Sequence, residues 1–246
     1  MPTLKLRRPP TSARTSKVRK EWAVLDGDAH EMSHAERLAA GKALRDRCPR
    51  TSHAIWKRPT NRRDAVEMVL ASERGRLTEL LPLRHGRMVR SAFTFYRGAA
   101  LTMAADLTTT PTSGVRVQCC GDAHLCNFGG YATPERRVIF GINDLDETLP
   151  GPWEWDVKRL ATSFVVASRD NGLRDDVAHD MALTCVRTYR EAIAEYSELK
   201  TLELWYRSLG AEELIAGIKD PDFRDRVVKR LQKERGKSVA EDIFPK

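Results

Sequence analysis

Long apolar runs and a secretory signal are both absent from this sequence. A membrane-spanning helix needs roughly 20 consecutive apolar residues, and no run in the chain approaches that length. The N-terminal segment, residues 1–20, lacks the apolar middle part of a signal peptide. We therefore expect a cytoplasmic protein that has no membrane partner.

Cysteine is scarce and irregularly placed. The chain has 5 cysteines, an odd number, and Cys119 is adjacent to Cys120. A disulfide framework uses an even number of spaced cysteines, so we expect free thiols and no disulfides. Neighbouring residues on a strand point to opposite faces and no C-x-x-C pair occurs, which disfavours zinc at Cys119, Cys120, His124 and Cys126. Buried thiols are the favoured interpretation, and no haem is expected.

Acidic residues are missing from the N-terminal segment. Residues 1–20 contain 7 Lys and Arg residues and 3 prolines but no Asp or Glu. This composition predicts a basic, disordered arm over residues 1–28, followed by a single domain over residues 29–246. The whole chain carries 42 Lys and Arg against 34 Asp and Glu, a net charge of +8, which favours anionic partners. Nucleic acid is the weaker alternative among them.

Helical periodicity dominates the rest of the chain. The predicted helices span residues 30–47, 63–74, 92–107, 153–168 and 175–196, with shorter ones to Arg235. Ser91 is the expected cap of the third helix. The expected core faces are Val66, Val69 and Leu70 in the second helix, Phe95, Ala99, Met103 and Leu107 in the third, and Met181, Cys185, Tyr189, Ile193 and Tyr196 in the fifth.

Two short β-branched runs interrupt the helices, at residues 115–119 and 137–142. Turn residues separate them, so both are predicted to be strands. The expected fold class is α+β and predominantly helical, with a small central β-hairpin carrying the unusual polar residues. A site is expected at this element because loops on a rigid scaffold commonly carry function.

The loop between the strands contains Asp122 and Asn127, 5 residues apart, after a flexible Gly121. An Asp-x4-Asn spacing is what a kinase catalytic loop uses, because the loop must present a carboxylate to a hydroxyl and an amide oxygen to Mg²⁺. Asp122 is therefore the predicted catalytic residue and Asn127 a predicted metal ligand. His124 is a secondary candidate, expected to orient the loop or contact phosphate.

A second acidic segment follows the other strand. "FGINDLDE" places Asp144 directly after it, with Asp146 and Glu147 close behind. A hairpin would bring this segment to the first loop, where Asp144 would be the principal metal ligand. Mg²⁺ binds hard oxygen ligands and keeps several waters, so acids and an amide are a fitting donor set.

Five ordered segments resemble one bacterial family. "RHGRM", "FYRGAALTMAADL", "CGDAHLCNFG", "INDLDET" and "PWEWDVKRLA" closely resemble the family known as domain of unknown function 2252. Its central motif in turn is similar to the Gly-Asp-x-His-x-x-Asn loop of aminoglycoside-phosphotransferase-like and choline-kinase-like enzymes. That likeness implies a kinase-like C-lobe, Mg²⁺ and ATP as cofactors, an unknown hydroxyl acceptor, and a loop-steadying role for Asp156.

A G-x-G-x-x-G loop, which such enzymes use to hold nucleotide phosphates, is absent from the 246 residues. Longer members of the resembled family carry a Gly-rich strand turn and a lysine after the acidic motifs. The resemblance therefore implies that this chain is a truncated member, incomplete at its C-terminus.

Several alternatives stay open from the sequence. Asp122, Asn127 and Asp144 also suit ordinary turns, because Asp and Asn favour loops. A cluster of basic residues has three interpretations, which are an anion pocket, a solvated face and a salt bridge. The cluster consists of Arg84, His85, Arg90 and the two phosphate-binding candidates Arg87 and Arg97. Trp153 and Trp155 favour core packing, and Lys158 and Arg159 are predicted surface charges.

Three functional hypotheses follow. The first is a Mg²⁺-dependent phosphotransferase core that binds nucleotide, and this 246-residue form is not assured of activity. The second is a non-catalytic module, either a pseudoenzyme or a truncated form, that binds a ligand or partner. The third is nucleic-acid binding through the basic arm.

Overall fold

A computed structural model describes residues 32–135 and 137–235 of the chain. The fold is α+β and mostly helical, as predicted from the sequence. The basic arm predicted over residues 1–28 lies outside the described residues. None of the helices in the described part of the chain combines the length and apolar character that crossing a membrane requires.

Five α-helices form the first half of the described chain. They are α1 (His34–Arg47), α2 (Ala65–Ala71), α3 (Leu81–Met88), α4 (Ala92–Gly98) and α5 (Ala100–Leu107). Side-chain caps fix three of the starts: Ser33 and Ser91 form capping boxes at α1 and α4, and the Asp64 carboxylate accepts from N–H groups in the first turn of α2. The predicted cap at Ser91 is confirmed.

The single helix predicted over residues 92–107 is wrong, because the chain breaks at Ala99. Ala99 has φ −123° and ψ 42°, outside the helical region, so α4 and α5 are separate helices. Gly98 ends α4 against the Met88 side chain, where a Cβ atom would lie 2.7 Å from Met88 Sδ. Gly98, which has weak helix propensity and packs against Met88, thus lies at the break between the two helices.

The predicted core face of α2 is also partly wrong. Val69 is buried, but Val66 and Leu70 are exposed, and Met68 occupies the second buried position. Val69 packs with Met88 and Ala99, and Phe95 lies against this cluster. α2 is only two turns long, so tertiary contacts rather than its apolar periodicity select the buried face.

Five strands form two small antiparallel sheets in the described residues. β1 (Arg116–Cys119) pairs with β4 (Leu149–Pro152), while β2 (Phe128–Ala132), β3 (Val138–Ile142) and β5 (Leu209–Gly210) form the other sheet in that order. The strands predicted at residues 115–119 and 137–142 are confirmed as β1 and β3. β2 and β4 escape prediction because "FGGYA" and "LPGP" contain the Gly and Pro residues typical of turns.

This topology forces two loops to run side by side. β1 leads to β2 through residues 120–127, and β3 leads to β4 through residues 143–148. Since β1 pairs with β4 and β2 pairs with β3, both connections cross between the same two sheets. We call residues 120–127 the Asp122 loop and residues 143–148 the acidic loop.

A long helical pair follows the sheets. α6 (Trp153–Asp170) and α7 (Asp175–Tyr196) confirm the two long helices predicted there, and α8 (Thr201–Tyr206), α9 (Ala211–Gly217) and α10 (Pro221–Arg235) follow. Trp153 at the start of α6 stacks on Tyr189 of α7, with ring centroids 5.8 Å apart and planes 9° from parallel. Trp153 therefore joins the two helices, which agrees with the core interpretation of this residue.

Deeply buried side chains lie beside the loops. Cys119 at the end of β1 and Ser163 in the middle of α6 are the largest fully buried side chains among the described residues. The predicted core face of α7 is mostly wrong, because Met181, Tyr189 and Ile193 are substantially exposed and only Ala178 is buried in that helix. The Asp122 loop and the acidic loop thus lie against deeply buried side chains of β1 and α6.

Candidate functional site

The Asp122 loop and the acidic loop touch through their backbones at Gly121. Gly121 has φ of +82°, in the left-handed region that glycine adopts without strain. A Cβ atom at this position would lie 1.9 Å from the carbonyl oxygen of Glu147. Only a residue without a side chain allows the two loops to approach this closely.

Asn127 ties the same two loops together with its side chain. Its amide nitrogen donates to the carbonyl oxygens of Asp122 at 3.2 Å and Asp144 at 3.0 Å. The side chain is buried at 5% exposure. These contacts fix the amide orientation, and they leave the amide oxygen, on the other branch of Cγ, available for a cation or water.

Asp156, in the first turn of α6, holds the start of the Asp122 loop. Its two carboxylate oxygens accept hydrogen bonds from the backbone N–H of Cys120 at 2.7 Å and of Gly121 at 3.1 Å. Carboxylate acceptors of backbone N–H groups form some of the stronger hydrogen bonds in proteins. The loop-steadying contact expected from the family resemblance is thus present in the geometry.

Arg159 pairs with Asp122 inside the protein, so its prediction as a surface charge is wrong. It is 2% exposed. Its Nε lies 2.8 Å from Asp122 Oδ1, and Nη2 donates to the same oxygen. Nη2 also donates to the carbonyl of Tyr96 at 3.0 Å. The guanidinium carbon lies 4.4 Å from the centre of the Tyr96 ring, in a cation–π contact.

Tyr96 completes this buried unit from α4. Its hydroxyl donates to the Arg159 carbonyl at 2.7 Å, and burial raises the pKa of Tyr96 to about 12. The phenol therefore stays protonated and acts as a donor at neutral pH. One signal in the sequence points to Arg159: it follows Asp156 by three residues and precedes Ser163 by four, which places all three on one helix face.

Ser163 is a further contact that the sequence-based prediction missed. Its hydroxyl accepts from the backbone N–H of Leu125 at 3.0 Å and donates to the Leu160 carbonyl at 2.7 Å. α6 thus holds the Asp122 loop at three successive points along one face. Thr148 does a similar job for the acidic loop, because its hydroxyl donates to the Cys119 carbonyl at 2.7 Å.

His124 faces Asp122 from within its own loop. Its Nε2 lies 3.5 Å from Asp122 Oδ2, and the side chain is buried. Burial lowers the pKa of His124, with Arg159 and Arg97 adding to that effect, and it outweighs the opposing charge of Asp122. The imidazole is therefore neutral at physiological pH and can orient Asp122 without adding charge.

The acidic loop presents its carboxylates to solvent. Asp144 is exposed, and one of its oxygens accepts from the backbone N–H of Asp146 at 3.1 Å, as in an Asx turn. Glu147 is only partly exposed, and its pKa is raised first by this partial burial and then by the charge of Asp122, with Asp144 and Asp146 contributing. Arg76, 3.8 Å away, opposes the rise. The carboxylate of the Asp122 loop therefore acts electrostatically on the carboxylates of the acidic loop.

The donor chemistry fits Mg²⁺, although the acids do not form a ready-made cage. In residues 32–135 and 137–235, no three His, Cys, Asp or Glu side chains lie close enough together to hold a metal. Mg²⁺ in phosphate-binding sites commonly uses one or two protein oxygens, with substrate phosphates and waters completing its shell. The Asn127 amide oxygen and the Asp144 carboxylate are oxygen ligands of the types that such an arrangement uses.

The cysteines near the loops differ in exposure. Cys119 and Cys120 are buried free thiols, and Cys126 is exposed, so the expectation of burial is wrong for Cys126. Burial raises the pKa of Cys119 to about 11 and also raises that of Cys120. Raised thiol pKa values disfavour the thiolate form that metals and electrophiles need.

The predicted basic cluster does not gather at one point. The carboxylate of Glu73, which is nearly buried, lies 2.5 Å from His85 Nε2 and 4.0 Å from Arg84 Nε, and Arg84 also donates to the Gly98 carbonyl at 2.5 Å. Arg84 and His85 therefore agree with the salt-bridge interpretation of the basic cluster. Arg87 and Arg97 are exposed, and of these two only Arg97 influences the Asp122 loop, through the pKa of His124.

Comparison with known proteins gives a family match over the part of the chain that holds the site. Residues 76–246, more than half of the chain, match the family model described as "Uncharacterized protein conserved in bacteria (DUF2252)". The matched segment includes both loops and α6. No curated protein and no solved structure matches the chain.

Proposed function

This chain belongs to the bacterial DUF2252 family, and we propose that its Asp122 and acidic loops form the metal-binding half of a Mg²⁺-dependent phosphotransferase centre. The orientation of Asn127 is the observation that carries the proposal. Its amide nitrogen is committed to the backbone carbonyls of Asp122 and Asp144, so its oxygen is left for a cation at the junction of the two loops. Kinase-type centres need this combination of base loop, amide ligand and acidic ligand.

Asp122 is the group that would act on the acceptor. Its Oδ1 is held by Arg159, which fixes the direction of the carboxylate. An ionised carboxylate can accept the proton of an acceptor hydroxyl as the hydroxyl oxygen bonds to the terminal phosphorus of a nucleotide and the bond to the bridging oxygen breaks. His124, neutral and 3.5 Å from Oδ2, limits the approach to this carboxylate from its own side.

Asn127 and Asp144 would hold the metal. When bound there, Mg²⁺ would offset the negative charge of the nucleotide phosphates. Asp156 and Gly121 keep the two loops at their observed separation, which supports a site whose loops are ordered before a ligand binds. The 246 residues contain no G-x-G-x-x-G loop, so the proposal for the nucleotide itself rests on the family resemblance.

Calorimetry on matched variants tests the metal assignment. Asp144→Asn removes the proposed ligand charge and should weaken Mg²⁺-dependent ATP binding by about tenfold or more. Asp146→Asn removes the same charge from the same loop but not the proposed ligand, and serves as the control, with a smaller loss of binding expected. Equal heats from wild type and Asp144→Asn would reject the assignment of Asp144.

The Arg159 ion pair also favours a second candidate, a binding module without turnover. One oxygen of Asp122 receives both Arg159 donors, so the carboxylate has a clear structural role. A non-catalytic module would bind Mg²⁺ and ATP without transferring phosphate to any of a panel of hydroxyl compounds. Turnover that disappears in Asp122→Asn while ATP binding persists would instead favour the phosphotransferase.

A further inference from the structure

A cleft lined by leucines and arginines lies next to the acidic loop. It has a volume of about 460 Å³ and is bounded by the chain around Gly75 and by the start of α3. Clefts of roughly 300–1,000 Å³ are of the size that holds small molecules. The lining residues are Gly75, Arg76, Leu77, Leu80, Leu81, Leu83, Arg84 and Arg87.

Sequence spacing explains why these side chains converge. Leu80, Leu83, Arg84 and Arg87 follow a spacing of three and four residues, which places them on one face of α3 and the turn before it. Leu77, Leu80 and Leu83 are each more than half exposed. A single face therefore presents aliphatic surface and guanidinium groups together.

Every charged residue that lines the cleft is an arginine. Arg76 forms an ion pair with Glu147 at 3.8 Å, and Arg84 forms one with Glu73 at 4.0 Å and donates to the Gly98 carbonyl at 2.5 Å. In the described part of the chain, Arg87 makes no hydrogen bond or ion pair. The cleft lining therefore carries three guanidinium groups against two nearby carboxylates, which leaves the charge of Arg87 unbalanced.

We propose that this cleft binds an aliphatic phosphate monoester, with the phosphate on the arginines and the alkyl body on the leucines. A guanidinium presents paired N–H donors that match phosphate oxygens. A phosphate monoester carries nearly two negative charges at neutral pH, which suits a three-arginine cleft better than the single charge of a carboxylate. Leucine side chains offer hydrophobic contact but neither stacking nor hydrogen bonds, which favours an alkyl body over a nucleobase.

The inference does not depend on the phosphotransferase proposal. Binding in the cleft needs neither Mg²⁺ nor nucleotide, so it can be measured in their absence. Arg76 nevertheless connects the two regions, since it lies between the cleft and Glu147 of the acidic loop. A phosphate on Arg76 would compete with Glu147 for the same guanidinium.

Calorimetric titration of the whole chain with hexyl phosphate tests the proposal. Hexyl phosphate should bind at least tenfold more tightly than inorganic phosphate, because roughly two buried methylenes supply that factor. Hexanoate should bind more weakly than hexyl phosphate, and neutral hexyl glucoside should show no saturable binding. Equal affinity for hexyl phosphate and inorganic phosphate, or for hexyl phosphate and hexyl glucoside, would overturn it.

Variants locate the binding in the cleft. Arg87→Gln should weaken hexyl phosphate binding by about tenfold, since a charge-assisted contact is lost, and Leu83→Gln should weaken hexyl phosphate binding but leave inorganic phosphate binding unchanged. Arg90→Gln changes an exposed arginine outside the cleft and should bind as the wild type does. Unfolding curves establish that each variant is folded, and wild-type affinity in folded Arg87→Gln would refute the assignment.

Discussion

Gly121 is the residue on which the separation of the two loops depends. An alanine there would need φ of +82° and would place Cβ 1.9 Å from the Glu147 carbonyl oxygen, so both strain and a backbone clash are expected. We predict that Gly121→Ala lowers the free energy of unfolding by about 3 kcal/mol, measured by urea denaturation. Gly172→Ala is the matched control, because Gly172 has φ of +71° and a Cβ atom added there would meet no other atom within 4 Å.

The control separates strain from contact. Gly172→Ala should cost only the left-handed backbone penalty of about 1 kcal/mol. The difference between the two losses measures the contact between the loops. Equal losses in the two variants would show that the loops can separate freely, and the shared site would then lack its proposed rigidity.

The Arg159 and Asp122 side chains form a buried pair whose two partners should be strongly coupled. Arg159→Met leaves the Asp122 carboxylate without its main partner and should lower the free energy of unfolding by about 3 kcal/mol. The double variant Arg159→Met/Asp122→Asn should lose far less free energy of unfolding than the sum of the losses in the two single variants. The coupling energy between the two side chains should be about 1 kcal/mol or more. Additive losses in a double-mutant cycle would mean that the contact contributes nothing to stability.

The sequence points to the residues of the proposed site more readily than to their supports. Asp122, Asn127 and Asp144 stand out because Asp and Asn at kinase-like spacing follow two β-branched runs. Arg159 stands out only by its helical spacing, because Lys158 precedes it and a pair of cations near a helix start is typical of an exposed face. Its burial depends on Tyr96, 63 positions away, and no local pattern encodes that contact.

At the scale of elements, α6 acts as the scaffold of the Asp122 loop. Asp156, Arg159 and Ser163 lie along one face and contact, in order, the N–H groups at the loop start, the Asp122 carboxylate and the Leu125 N–H. A helix is a rigid spacer with a rise of about 1.5 Å per residue. The loop conformation is therefore set by the register of α6 rather than by the loop sequence alone.

The Asp156 contact gives a prediction for local stability. Asp156→Asn replaces one of two acceptor oxygens with a donor that faces an N–H group, so one hydrogen bond is lost. We expect amide hydrogen exchange at Cys120 and Gly121 to speed up by about tenfold or more. Asp175→Asn, which changes an exposed acid in the first turn of α7, is the control. Unchanged exchange at both amides would show that Asp156 does not hold the loop.

Element prediction succeeded where periodicity was long and failed where it was short. The 22-residue helix α7 has the predicted bounds, because many turns share one repeating pattern. The break at Ala99 and the short strands β2 and β4 depend on packing partners distant in sequence, such as the pairing of Arg116 with Pro152. Which face of α2 is buried is likewise decided by tertiary contacts.

At the scale of the whole molecule, a second group of buried polar residues stands apart from the loops. Sγ of Cys48 lies 3.5 Å from Nε2 of His53, next to α6. Nζ of Lys158 and Oε2 of Glu154 are buried in α6 without a hydrogen bond among the described residues, so the prediction of Lys158 as a surface charge is wrong. Burial lowers the pKa of both His53 and Lys158, and the Lys158 charge lowers the pKa of His53 further.

This group should make the stability of the protein sensitive to acid. The pKa of His53 in the folded state lies below its ordinary value of 6.5, mainly because of burial and then because of the Lys158 charge. As the pH falls below 6.5, the unfolded chain therefore binds a proton at this position before the folded chain does, and stability decreases.

His53→Gln removes that titration, so the loss of unfolding free energy between pH 7.5 and pH 5.5, each measured by urea denaturation, should be smaller than in the wild type. His179→Gln removes an exposed histidine on α7 and serves as the control. Glu147, with its raised pKa, acts in the opposite direction above its ordinary value of 4.5, and it is common to all three proteins, so their differences isolate His53. If His53→Gln loses as much unfolding free energy between pH 7.5 and pH 5.5 as the wild type does, the acid sensitivity arises elsewhere in the fold.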